Sequence, residues 1–217
     1  MSLTDELARL AWFNEDEWDP HVCLTLVEGA DADEVLRRFG GDPATARLLT
    51  GDEAWDEWAR DRSRIHDADR IHDGDRIRGF VGVGTAGGVV FAIEQASSNG
   101  FVRGVLRALS RGGRALNLDV HVPDAMDVMT YAVDGEIVVC HDLRTAPVTA
   151  LTEGDPRWDP AWREGLSSEG HGGNGLSGAE VLVIAQRVMD VRISEAWFTS
   201  RLRTCEIPGP GPGPASL

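Results

Sequence analysis

Six side chains able to ligate a metal crowd into one short span: His66, Asp67, Asp69, His72, Asp73 and Asp75. They come from a duplicated hexapeptide, RIHDAD at 64–69 followed at once by RIHDGD at 70–75. Imidazole and carboxylate together suit Zn²⁺, Mn²⁺ or Ca²⁺. His66, Asp69, His72 and Asp75 are therefore the metal candidates. The spacing matches no standard site, since an EF-hand loop would need an oxygen donor where Ile71 stands. The interleaved Arg64, Arg70 and Arg76 are ready ion-pair partners for the aspartates. The span thus reads first as a solvated charged loop and only second as a metal site. A period of six fits neither a helical face nor a strand with one buried side.

The second set is cationic. Between Gln95 and Leu118 there is no carboxylate, in a chain of formal charge −15. Arg103, Arg107, Arg111 and Arg114 fall in that window, on what reads as one helix closed by Gly112 and Gly113. Val102, Val105, Leu106 and Leu109 follow the i, i+3, i+4, i+7 rule, so that stripe is expected to pack on a sheet. Arg103, Arg107 and Arg111 then lie on the opposite side, one above the next. Two readings follow. Acidic residues from 5–17 or 52–57 dock on the arginines, or the arginines receive an external anion or an acidic partner surface.

Other chemistry is excluded or weak. All 21 basic residues are arginine. Walker A, Schiff-base and kinase phosphate lysines are therefore absent. Gly82, Gly84, Gly87 and Val89 match G-x-G-x-x-G-x-V, but a β-rich run follows where a dinucleotide fold needs a helix, so a hairpin is expected. Cys140, His141 and Asp142 are contiguous, and neighbours on a strand point to opposite faces, so they form no triad among themselves. The spacing of Cys23, Cys140 and Cys205 suits buried free thiols. A glycine-rich run at 172–175 is read as linker rather than anion cradle. The seven tryptophans are expected to pack between segments.

These residues must be carried by a folded domain, and the apolar content of 42% is enough for one core. Residues 3–11 are helical in pattern, and 22–27 read as a strand. Asp31 caps a helix over 32–39 that Gly40 and Gly41 stop. Asp42 with Pro43, and Thr50, mark further helix starts. From 78 to 142 the order is ββαβββ, with turns at 85–88 and at Asp134–Gly135. Ser177 with Glu180 is a capping box for a helix over 179–188, and 194–202 is expected to be a short last helix. The fold class is α+β: an antiparallel or mixed sheet of about five to six strands, with N- and C-terminal helices. One domain is expected over 1–204, with a charged insertion at 60–78, a glycine-rich connection at 146–178 and a disordered Pro/Gly tail at 205–217.

Four stretches carry a family resemblance: CLTLVEG at 23–29 with EVLRRFG at 34–40, LRALSRGG at 106–113 and YAVDGE at 131–136. With these, the chain from His21 to the region of Trp197 resembles an uncharacterised actinobacterial domain family of unknown function. The resemblance implies a small cytoplasmic α+β domain with no assigned activity, and marks the duplicated hexapeptide as an insertion.

Residues 1–60 hold 15 acidic residues and 5 arginines. That imbalance opposes nucleic-acid binding and favours a basic protein partner. No apolar run reaches the roughly 18 residues that a membrane span needs. The start of the chain lacks the pattern of a secretory signal, so a cytoplasmic location is expected. The functional expectation is a non-enzymatic protein-binding module, in the manner of an inhibitor or immunity factor, with no cofactor. The alternative is a small-ligand or metal-dependent enzyme acting on a phosphorylated substrate.

Overall fold

A computed structural model describes residues 2–14, 21–60, 78–95, 97–121, 126–142, 156–157, 159–166 and 176–209. Its centre is one antiparallel sheet. The strands are β1 (His21–Glu28), β2 (Arg47–Leu49), β3 (Gly79–Ala86), β4 (Val89–Gln95), β5 (Arg114–His121), β6 (Met126–Val133), β7 (Glu136–Asp142) and β8 (Leu202–Ile207). They lie in the order β2-β8-β3-β4-β1-β5-β6-β7, every neighbouring pair antiparallel. The helices are α1 (Leu3–Arg9), α2 (Ala32–Phe39), α3 (Gly51–Arg60), α4 (Arg103–Leu109), α5 (Gly178–Met189) and α6 (Ala196–Thr199). The ββαβββ order over 78–142 is as expected from the sequence. The sheet has eight strands, not five to six.

Both faces of the sheet are covered. On the first, Leu24, Leu26, Phe91, Ile93, Leu116 and Leu118 pack beneath α5. Ten of its twelve residues are buried, because α1 and the one-turn helices at 11–14 and 160–163 close over it. Its capping box is formed as the sequence suggested: the Glu180 N–H donates to Ser177 Oγ, and the Glu180 carboxylate accepts from the Ser177 N–H. On the second face, Val27, Val90, Ala92, Ala115 and Ala132 meet Val35, Leu36 and Phe39 of α2 and Val105, Leu106 and Leu109 of α4. Period-two alternation along each strand divides the residues between these two cores.

The aromatic residues mostly tie segments together. Trp197 stacks on Phe91 with ring centres 4.1 Å apart, Trp162 meets Tyr131 edge-on, and Trp12 contacts Phe13 and Phe198. Trp55 and Trp58 lie tilted against each other with ring centres 5.0 Å apart, and Trp55 is 40% exposed. Trp18 and Trp158 lie outside the described residues, as do the duplicated hexapeptides, most of the glycine-rich connection and 210–217. The strand β8 carries the ordered chain through Ile207, past the expected end of the domain at 204. Among the described residues no helix is long and apolar enough to cross a membrane.

Candidate functional site

The carboxylate-free window folds as a turn, a helix and a strand start. Val105, Leu106 and Leu109 of α4 are buried against the second face, and Val102 is half-buried beside them, as the apolar periodicity required. Arg103, Arg107 and Arg111 project from the opposite side and are exposed. The first two belong to α4. Arg111 follows in the turn after Ser110, which still has helical backbone angles. At 1.5 Å of rise per residue the three guanidinium stems stand about 6 Å apart along a ridge of about 12 Å.

Arg114 does not join them. It is the first residue of β5 and points to the first face, where its Nε donates to Glu28 and its Nη1 to the carbonyl of Val188 at 2.8 Å. It is an internal clamp between β1, β5 and α5. The four arginines expected to act together therefore split three to one, because Gly113 ends the helical turn before Arg114 and strand alternation sets that residue's face.

Among the described residues, no carboxylate of the acidic segments is paired with the ridge. Glu6 pairs with Arg187 on the first face, and Asp5 is engaged in the cap of α1. In α3, Glu53 pairs with Arg201, Glu57 with Arg47 and Asp56 with Arg60. Glu15, Asp16 and Glu17 lie outside the described residues. Elsewhere arginines are matched: Arg37 with Asp33 and Glu34, Arg78 with Glu206, Arg203 with Asp33. Among the described residues Arg103, Arg107 and Arg111 have no carboxylate partner, and the mutual repulsion of like charges at i, i+4 is left uncompensated.

Both ends of α4 are pinned by groups that the sequence reading passed over. At its entrance lies Glu94, 2% exposed at the end of β4. One carboxylate oxygen accepts from Gly100 N–H at 2.6 Å and Cys23 Sγ–H at 3.2 Å. The other accepts from Asn99 N–H at 2.6 Å and Ser97 Oγ–H at 2.8 Å. Asn117 Nδ2 donates to Cys23 Sγ and Thr25 Oγ1 in the same buried layer. Burial pushes the Glu94 carboxyl up, and its four hydrogen bonds pull it back. A visible signal existed: in β4, Val90, Ala92 and Glu94 share one face, so Glu94 had to enter the core under α4.

At the exit of α4, Arg38 of α2 donates through Nη1 to the carbonyls of Leu109 and Arg111 at 3.0 and 3.1 Å. These are orphan acceptors of the helix C-terminus. The β6–β7 turn closes the other side. The Gly112 N–H donates to Asp134, and the Gly135 N–H to Ser110 Oγ, each at 3.0 Å. The ridge thus stands on a helix fixed at both ends.

The remaining candidates are weaker. A polar cleft of about 300 Å³ lies between α3 and β8, lined by Arg47, Glu57, Phe80 and Glu206, but its charged groups are paired with one another or with neighbours. His66, Asp69, His72 and Asp75 lie outside the described residues. Among the described residues no three His, Cys, Asp or Glu side chains converge to hold a metal.

Two of the three thiols, Cys23 and Cys205, are buried as expected. Cys23 is fully enclosed, and burial, reinforced by the Glu94 and Asp119 carboxylates, raises it well above the ordinary thiol. Burial pushes Cys205 up to about 11. Cys140 is the half-buried one. The native protein at pH 8 should therefore present one slowly reacting thiol to an aromatic disulfide reagent, and three after denaturation. Protection of Cys140 or fast labelling of Cys23 would contradict this burial.

A family of unknown function, DUF6461, matches residues 7–208, and the chain belongs to it. The expectation of a domain family of unknown function thus holds over most of the chain. No curated protein and no solved structure matches.

Proposed function

We propose that the protein is a non-enzymatic protein-binding module whose contact surface is the ridge of Arg103, Arg107 and Arg111. One observation carries this reading: among the described residues, three exposed guanidinium groups stand in a row without a carboxylate partner, while most other described arginines have one, in a chain of charge −15. Guanidinium suits such a surface, since its planar fork matches a carboxylate bidentately. The rest of the acidic surface repels acidic proteins in other orientations. A partner with an acidic patch is therefore steered to the ridge, and nucleic acid is opposed by the overall field.

The test is charge reversal at two exposed positions. Arg103→Glu with Arg107→Glu should leave the thermal midpoint unchanged within about 2 °C, since exposed charges away from special features move stability by about 0.5 kcal/mol or less. The same change should abolish retention of the stoichiometric partner that the wild-type chain takes from native lysate at low salt. Retention of that partner by the double variant, or no stoichiometric partner for the wild type, would overturn the reading.

A further inference from the structure

We infer that the ridge receives an acidic α-helix of the partner, laid along α4 with carboxylates at i, i+4 and i+8. This inference rests on the binding-module reading and specifies the shape of what is bound. It starts from what stands beside the arginines. With Arg103 as origin and about 100° per residue, Arg107 falls near 40°, Arg111 near 80°, Gly104 near 100° and Ala108 near 140°. The exposed face of α4 is therefore two parallel rows. One is Arg103, Arg107 and Arg111; the other is Gly104, Ala108 and, in the turn after the helix, Gly112. The second row is a trough, and the first is its cationic wall.

Gly104 has no internal reason to be glycine. Its φ is not positive, and a Cβ built there meets no atom within 4 Å. In a helix glycine costs about 0.5–1 kcal/mol relative to alanine. What the missing side chain provides is room outside the protein, directly beside the guanidinium groups. Small residues four apart on an exposed face let the axis of a second helix come close, because no side chain holds it off.

A helix fits this surface better than the other anionic chains. Apart from the uncapped N–H groups of its first turn, the backbone groups of α4 run along the helix axis in i, i+4 pairs, so its outer face offers an extended peptide no ladder of N–H and C=O to pair with. A helical partner brings its own backbone satisfied. Its carboxylates at i, i+4 and i+8 repeat every 6 Å or so, the spacing of the arginines. A nucleic-acid strand has a comparable phosphate spacing, but it brings negative charge on every side of its backbone to a chain of charge −15, whereas a helical partner presents its carboxylates on one face only.

The experiment measures fluorescence anisotropy of labelled probes with the full chain at low salt. The probes are a capped helical peptide with glutamates at i, i+4 and i+8 in an alanine–glutamine background, a peptide of identical composition with the spacing scrambled, and a single-stranded oligonucleotide of similar charge. The spaced peptide should bind at least tenfold more tightly than the other two. Gly104→Leu, which fills the trough and keeps every charge, should weaken that binding at least tenfold while the thermal midpoint stays level or rises. Absent binding of the spaced peptide, equal binding of the scrambled one, an oligonucleotide bound as tightly, or an indifferent Gly104→Leu would each overturn the inference. A Gly104→Leu chain that retains the stoichiometric lysate partner, beside an Arg103→Glu, Arg107→Glu chain that loses it, overturns the helical mode alone. Retention by both variants overturns the binding surface as well.

Discussion

Glu94→Gln should destabilise the protein by about 2–4 kcal/mol, although the side chains are nearly isosteric. Each Glu94 oxygen accepts one backbone N–H, from Gly100 or from Asn99. A glutamine must set its NH₂ against one of these, leaving two buried donors face to face. A buried donor without an acceptor costs about 1–3 kcal/mol, and more where the lost acceptor was charged. For a chain of this size that corresponds to a fall in thermal midpoint of roughly 4–16 °C. The loss should appear as earlier opening of the 97–102 segment, read by hydrogen exchange, because Glu94 holds the turn that delivers α4.

The pH dependence gives an independent check. Burial raises the Glu94 carboxyl above its ordinary range. A carboxyl raised in the folded state contributes stability that is fully present below its unfolded pKa and is lost as pH rises through the folded pKa. The protonated acid suits the site where glutamine does not. Its hydroxyl can donate to Ser97 Oγ while a lone pair still accepts the Asn99 N–H. The stability gap between wild type and Glu94→Gln should therefore widen as pH falls from neutrality towards the ordinary glutamate range. A gap that is constant across that interval, in parallel denaturant titrations, would show that Glu94 does not titrate differently in the folded chain.

What could be read from the sequence divides by the range of the interaction responsible. Local signals worked. Asp31 caps α2, Gly40 ends it in a left-handed conformation, Ser177 and Glu180 form their box, and Asp134–Gly135 turns the β6–β7 hairpin. The apolar stripe of α4 identified its buried side and hence the exposed side of Arg103, Arg107 and Arg111. The failures needed distant partners. β2 is three residues long, too short for any periodicity, and exists because it pairs with β8. β8 itself lies against the Pro/Gly tail in sequence, and its pairing partner β3 is more than a hundred residues earlier. Arg114 could be assigned to the sheet only by knowing that Glu28 and Val188 meet there. The charge balance of α4 likewise depended on where α1 and α3 fold, which is away from the ridge.

Gly113→Ala should cost about 3 kcal/mol or more, whereas Gly112→Ala should cost only about 1–2 kcal/mol. The sequence presents the two glycines as one helix stop, but the fold uses them differently. Gly112 has φ +77°, and a Cβ there would meet nothing within 4 Å. Its substitution therefore carries only the left-handed backbone penalty, about 1–2 kcal/mol. A Cβ on Gly113 would sit 2.1 Å from the carbonyl oxygen of Glu28 and 3.2 Å from Cα of Gly29. Those are backbone atoms at the end of β1, and Gly29 is itself held at φ +87° with the Gly112 carbonyl against it. No side chain is there to rotate away, so relief requires separating the end of β1 from the start of β5. That displacement would break the Arg114–Glu28 clamp and move the C-terminal end of α4 with it. Gly113→Ala should accordingly lower stability by more than Gly112→Ala does, and should lower partner retention by displacing the turn that carries Arg111. Denaturant midpoints for the pair of variants decide the matter, and equal losses would mean that β1 and the α4–β5 turn do not approach as closely as described.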